Sequence, residues 1–335
     1  MKSFVSTIKF SGVGVHSGKT VNVKIKPSKK YGIFFKRVDL PNAELIPARF
    51  DNVFNTAMNT TIGRAPNCVQ TVEHLMAALF IVGVDSAIIE IDGLETPIMD
   101  GSSKQFIDLF SKVKIVGKKP TPKIIVKKEV VAYRQELIKK MPVVKRTLLW
   151  LHNLKTGHRE NGYVRLFPGN GGLDIHMVME YPDKQIGKQE FDFMFDGSVK
   201  SRKEFVSNIS KSRTFGRFWE WGYLKKRGQG LGASEDNVIV LMNGDKDWDN
   251  LSNYATDEKL IKKLSKNRGA DTLMPLFWDN EFVRHKIIDA LGDMYTSGGF
   301  IVGKLESVKG SHGLNNLVLK KLFSDPENYD IIEEK

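Results

Sequence analysis

The chain has a single cysteine, Cys68, in 335 residues. An intrachain disulfide framework is excluded, and so is a structural zinc site built from several thiolates. Cys68 lies in a Pro-Asn-Cys turn with no nucleophile motif around it, so thiol catalysis finds no support. Long apolar runs are also missing. No stretch approaches the roughly 18 apolar residues of a spanning helix. The first ten residues alternate like a strand and lack the apolar run of a signal peptide. A reduced, cytoplasmic setting is the expectation. Nucleotide-loop and metalloprotease signatures are lacking too. There is no Walker loop and no His-Glu-x-x-His. The glycine-rich stretches Ser11–Gly18 and Arg227–Ala233 do not follow a strand and open a helix at dinucleotide-binding spacing.

Acidic residues are in deficit: 39 Asp and Glu stand against 51 Lys and Arg, a net charge of +12. That excess favours an anionic partner, whether nucleic acid, acidic lipid or a phosphorylated small molecule. The cations are scattered and no nucleic-acid motif appears, so a basic RNA- or lipid-binding protein is the weaker alternative. The length allows two domains, and 41% hydrophobic residues suffice for their cores.

Period-two patterns predict strands at Val21–Pro27, Asp85–Asp92, Lys123–Lys128, Tyr163–Pro168, Leu173–Met179 and Phe300–Glu306. Helical spacing predicts helices at 71–80, 103–110, 203–209, 219–227, 281–295 and 315–323. The basic, proline-containing segment Gly117–Pro122 is the expected linker between domains at 1–117 and 123–325. Without a regular βαβ alternation the class is α+β. Residues 134–161 and 243–275 look inserted, and their charge runs read as solvated faces.

What the chain does have is a polar stripe on an apolar helix. Within Glu281–Met294, Val283, Ile287, Leu291 and Met294 supply one buried face. His285, Asp289 and Asp293 recur at i, i+4 and i+8 and stand on a second face. An imidazole and a carboxylate one turn apart can point at one metal ion, and these donors suit zinc at about 2 Å. A solvated face carrying His and Asp fits the same pattern, because two ligands do not make a site. His74 lies in a second apolar helix, with Val72, Leu75, Met76 and Leu79 on one face and Thr71 as the expected N-cap. Glu73 precedes it. A carboxylate beside a potential ligand suits metal-assisted hydrolysis. From this segment alone, a capped helix with a surface Glu-His pair is the simpler reading.

In order and separation these pieces resemble the zinc-dependent UDP-3-O-acyl-N-acetylglucosamine deacetylases of lipid A biosynthesis. The resemblance runs nearly end to end. It is carried by Gly12-Val-Gly-Val-His-Ser-Gly18, Thr71-Val-Glu-His-Leu-Met-Ala-Ala-Leu79, Pro97-Ile-Met-Asp-Gly-Ser102, Ser212-Arg-Thr-Phe-Gly216, Phe282–Asp293 and Ser311-His-Gly-Leu-Asn-Asn316. It implies two similar domains, each a sheet with helices, with the helices packed between the sheets as a four-layer sandwich. The 71–80 and 281–295 helices would then face each other. The resemblance implies His74, His285 and Asp289 as ligands of Zn²⁺, with Fe²⁺ acceptable to the same donors. It implies Glu73 as general base, His312 as the protonated histidine that stabilises the oxyanion, Asp293 as its partner and Thr214 as a hydroxyl donor. Lys286 and Phe215 are implied as substrate-binding. Phe218, Trp219, Trp221 and Leu224 would line an acyl passage within 215–240. The expected partner is a UDP-linked acylated amino sugar, with no nucleic acid, no membrane span, transient membrane-surface contact left open, and a monomer favoured. Another N-acetyl sugar nucleotide remains the alternative substrate.

Overall fold

The computed structural model describes residues 1–117, 120–147, 161–254 and 257–333. The expected insert at 134–161 falls partly outside them, with His152 and His158, as do Lys118 and Lys119 of the expected linker.

The first sheet grows from alternating sequence. In β2 (Thr20–Pro27), Val21, Val23 and Ile25 point inward while Asn22 and Lys24 face water. It pairs antiparallel with β1 (Ile8–Val13). After β3 (Gly32–Arg37) and β4 (Ile46–Pro47) comes a small ladder of β5 (Val53–Asn55), β6 (Thr61–Arg64) and β7 (Asn67–Val69). Helix α1 (Glu73–Val82) then leads to β8 (Ser86–Ile91), which inserts between β2 and β3. The sheet order is β1-β2-β8-β3-β4, and β8 runs parallel to β3. Helix α2 (Lys104–Ser111) follows.

The second half repeats that plan. Its sheet contains β9 (Lys123–Val126), β10 (Val130–Tyr133), β11 (Tyr163–Phe167), β12 (Leu173–Glu180) and β13 (Lys188–Phe195). Helix α3 (Val199–Asn208) follows; strand β14 (Phe215–Arg217), helix α4 (Trp221–Lys226) and strand β15 (Ile239–Leu241) form a separate excursion. Helix α5 (Glu281–Tyr295) leads to β16 (Phe300–Val308), the sheet's centre, and then to α6 (His312–Leu322). Strand β16 pairs with β11, β12 and β9, and runs parallel to β12 as β8 does to β3. The last strand, β17 (Tyr329–Ile332), pairs with β9 and lies beyond residue 325.

In each half a helix precedes the central strand and a second helix follows it. Helix α1 packs on α5, and α5 on β12, β13 and β16. One continuous core links Ile25 and Ile89 of the first sheet, through Leu75, Leu79, Ile287 and Leu291 of the helices, to Ile301 and Leu305 of the second sheet. The layers run sheet, helices, helices, sheet, and the class is α+β with two similar sheet-helix halves. From Glu73 to Ile81 every residue of α1 is buried, as expected of a helix covered on all sides.

One local expectation fails. Thr71 is not an N-cap: α1 starts at Glu73 after Val72, with no side-chain cap. Thr71 has φ +57°, and its hydroxyl donates to Glu95 Oε1 at 3.0 Å. The charge runs of residues 243–275 face water as expected, but the segment also carries apolar residues that pack. Trp248, Leu251, Tyr254, Leu264 and Leu273 build a second core against Val15, Ile98, Phe218, Trp221 and Val240. Of the charged positions in this stretch, all but Asp247 face water, so the polarity of the segment hides a sparse apolar set.

Strand β13 is not among the strands expected from the sequence, although Glu190 and Asp192 alternate with Phe191, Phe193 and Phe195 at period two. It pairs with β12 alone, and as an edge strand it exposes one face while burying Phe193 and Phe195.

Candidate metal centre and active site

The site forms where α1, α5 and the start of α6 meet. Its geometry depends on Gly292, one residue before Asp293. A Cβ there would come within 2.0 Å of the Glu73 backbone oxygen. With no side chain at that point, α5 can lie against the first turn of α1. That contact places His74 beside His285 and Asp289, residues more than two hundred positions away in sequence.

Nε2 of His285 lies 3.4 Å from Asp289 Oδ1, and Nε2 of His74 lies 3.5 Å from the same atom. The imidazole rings are 4.9 Å apart and nearly perpendicular, at 86°. One donor atom from each residue fits within a 4.8 Å group, and all three residues are buried. Ligand atoms on a tetrahedral zinc with bonds of about 2.0–2.1 Å are about 3.4 Å apart. The donor set therefore fits a zinc-sized ion. The protonation pattern agrees. His285 Nδ1 donates to the Ser212 carbonyl at 3.0 Å, which leaves the Nε2 lone pair toward the site. Burial pushes the His285 imidazole down to about 3, so it is neutral. Burial alone would raise the Asp289 carboxyl, but Lys286 and the histidines outweigh it and hold it well below the usual range. Lys286 Nζ is 2.8 Å from Asp289 Oδ2. Nδ1 of His74 is buried without a hydrogen-bond partner.

Glu73 and His312 flank this cluster, with His312 Nε2 3.9 Å from Glu73 Oε1. Burial raises the Glu73 carboxyl, opposed by His312 and His74. Burial would lower the His312 imidazole, but Asp293 and Glu73 more than offset it and raise it to about 9. Nδ1 of His312 is 2.8 Å from Asp293 Oδ2, and Ser311 caps α6 just before it.

The sequence reading missed three supporting residues. The Thr60 amide donates to Glu73 Oε2 at 3.0 Å, and its hydroxyl donates to Asp293 Oδ1 at 2.5 Å. The Asn315 amide donates to Asp293 Oδ2 at 2.9 Å. Buried Glu95 accepts from the amides of His16 and Ser17 and from Thr71, tying the glycine-rich turn to the approach of α1. Gly14 is required there, since its Cβ would meet Glu95 Oε2 at 2.4 Å. No periodic signal marks a threonine in a loop or a carboxylate outside a helix. Only the fold brings them in.

A cavity of about 340 Å³ opens beside the cluster, within the usual range for a ligand site. Glu73, His74, His285, Lys286, Asp289 and His312 border it. Thr214 borders it too, its amide fixed to the Gly101 carbonyl and its own carbonyl to the Ile239 amide, each at 2.8 Å. The Phe215 ring packs edge-on at 5.1 Å from Phe282, with Lys286 Nζ 5.4 Å from its centroid. Its lining also includes the apolar Ile98, Trp221, Leu224, Val238 and Val240. Of the four residues expected along an acyl passage, Trp221 and Leu224 line the cavity. Phe218 packs into the second core, and Trp219 turns outward with 43% of its surface exposed. Successive residues of a helical turn cannot share one face, so the four necessarily divide.

Among the described residues no helix is long and apolar enough to cross a membrane. The sequence profile of LpxC, UDP-3-O-acyl N-acetylglycosamine deacetylase, matches residues 2–263 and 266–324. The chain is 32% identical to a UDP-3-O-acyl-N-acetylglucosamine deacetylase of Citrifermentans bemidjiense, over 97% of this chain and 89% of the relative. It is 33% identical to one of Xanthomonas oryzae pv. oryzae, over 97% and 90%. It is 32% identical to one of Teredinibacter turnerae, over 99% and 92%. With this cover on both sides, the chain belongs to the UDP-3-O-acyl N-acetylglycosamine deacetylase family.

Proposed function

We propose that this protein hydrolyses the acetamide of UDP-3-O-acyl-N-acetylglucosamine, giving acetate and UDP-3-O-acyl-glucosamine, an early step of lipid A biosynthesis. His74, His285 and Asp289 would hold a zinc ion for it; iron(II) suits the same donors. The carrying observation is that this three-donor cluster, a buried carboxylate and a buried histidine line one cavity together with apolar residues of the second core. When bound, the ion supplies Lewis acidity and lowers the pKa of water.

The protein's own groups divide the remaining work. Glu73, positioned by the Thr60 amide, accepts a proton from the attacking water. His312, kept protonated by Asp293, faces the developing negative charge and delivers a proton to the departing amine. Thr214 supplies a further donor at the cavity wall. Lys286 and Phe215 hold the sugar nucleotide, and Trp221 and Leu224 receive the acyl chain.

The direct assay follows acetate release from UDP-3-O-acyl-N-acetylglucosamine and from UDP-N-acetylglucosamine. Turnover is expected on the acylated compound, with a large loss in kcat/KM without the acyl chain. Equal kcat/KM on both would favour another N-acetyl sugar nucleotide and remove the acyl passage from the reading.

A second expectation concerns pH. Glu73 works ionised, so activity rises as pH climbs through its raised value. His312 works protonated, so activity falls as pH passes about 9. The limbs report coupled groups. Asp293→Asn removes the carboxylate that favours the imidazolium, so the alkaline limb should move to lower pH. An unchanged pH–rate profile in a metal-loaded Asp293→Asn protein would disprove the coupling.

A further inference from the structure

We infer that the outer face of α4 and its flanks is a docking surface for an anionic lipid bilayer, which sets the mouth of the acyl-binding cavity against the membrane surface. This rests on the reading of that cavity as an acyl site. The geometry is a division within one short segment. Trp221 and Leu224 point into the cavity, and Phe218 and Trp221 are fixed in the second core, where the Tyr254 ring lies 5.2 Å from that of Trp221. The opposite face leaves Trp219 43% and Tyr223 57% exposed. Leu231 is 49% exposed on the neighbouring turn, held by its amide to the His16 carbonyl at 3.1 Å. Met58, 51% exposed, lies at the cavity border.

Cations surround these groups. Lys225, Lys226 and Arg227 are exposed, and Lys19 is exposed on the turn beneath Leu231. Between residues 218 and 233 the one acidic residue is Glu220, and it is paired with Arg217 at 3.1 Å. Tryptophan and tyrosine settle at the headgroup level of a bilayer, where their rings are apolar and their polar ends stay wet. Adjacent lysines and arginine add attraction to acidic headgroups, and the combination is that of an interfacial anchor. A protein partner fits less well. The apolar groups are few and separated by lysines, which are depleted from the cores of protein interfaces. The second core holds the segment against the body of the protein, so docking would orient the cavity as well as tether the chain.

The test is flotation of the purified full chain with vesicles of phosphatidylcholine alone and of phosphatidylcholine mixed with phosphatidylglycerol. It needs no substrate, so its failure and failure of the deacetylase reading are separate results. Binding is expected on the phosphatidylglycerol vesicles at low salt and not on phosphatidylcholine alone. Joint Trp219→Ser and Tyr223→Ser substitution should weaken it about tenfold. Joint Lys225→Glu, Lys226→Glu and Arg227→Glu substitution should weaken it by about a hundredfold or more. As a measurement independent of the multiple variants, brominated lipid should quench the fluorescence of the natural chain more than that of Trp219→Phe. Absence of binding would overturn the inference and leave the face to a protein partner. Equal binding and equal quenching in the aromatic variants would overturn it by assigning attachment to the net charge of the whole chain.

Discussion

His285→Ala is expected to remove the metal and the turnover together. The imidazole contributes one of three donors, and its Nε2 faces Asp289 and His74 because Nδ1 is engaged by the Ser212 carbonyl. Alanine offers no donor, and the two remaining residues cannot make a closed set. Loss of the Lewis acid forfeits several kcal/mol of transition-state stabilisation, so the rate should fall by at least roughly 10³-fold. Elemental analysis of the purified variant checks the metal, acetate release checks the rate, and circular dichroism checks that the buried substitution leaves the fold in place. A folded variant with full metal content and full turnover would refute the assignment of all three ligands.

Glu73→Gln should separate the two losses. The side chain is not among the three donors, so metal content should stay near that of the natural protein. The amide oxygen of glutamine can still accept from the Thr60 amide, which preserves the local geometry. What disappears is the basic oxygen, and removal of a general base costs on the order of 10²–10⁴ in rate. The acid limb of the pH profile should vanish with it, since that limb depends on the carboxyl that burial holds above its ordinary range. A metal-loaded Glu73→Gln protein with near-normal turnover would mean that another group takes the proton.

The polar stripe on α5 is local: a helical period places His285, Asp289 and Asp293 in a row whatever the helix packs against. The same holds for the apolar face of α1 and for the alternation of β2, which the structure reproduces to within a residue or two at each end. Recurrence of a motif such as Ser311–Asn316 at a fixed order in the chain then ties those local pieces to a family. Helix ends were less legible. Thr71 has the residue type of a cap but serves the Glu95 network instead, because a hydrogen bond to a distant carboxylate outcompetes the local one.

The sequence by itself determined the strongly periodic elements, among them α1, α5, β2 and β16, and put His285, Asp289 and Asp293 on one helix face, since each of these depends on neighbours within a few residues. The tertiary structure decided what meets what. Gly292 lets α5 touch α1 at Glu73, and only that close approach turns a two-ligand stripe into a three-donor cluster. Thr60 joins Glu73 to Asp293 from a loop that no period announces. Residues 243–275 look polar in sequence, yet Trp248, Leu251 and Tyr254 become a core once Trp221 is brought against them. The same packing chooses Trp221 for the cavity and Trp219 for the surface. Sequence pattern cannot choose between two tryptophans in one turn, because burial is fixed by the elements that pack against the segment.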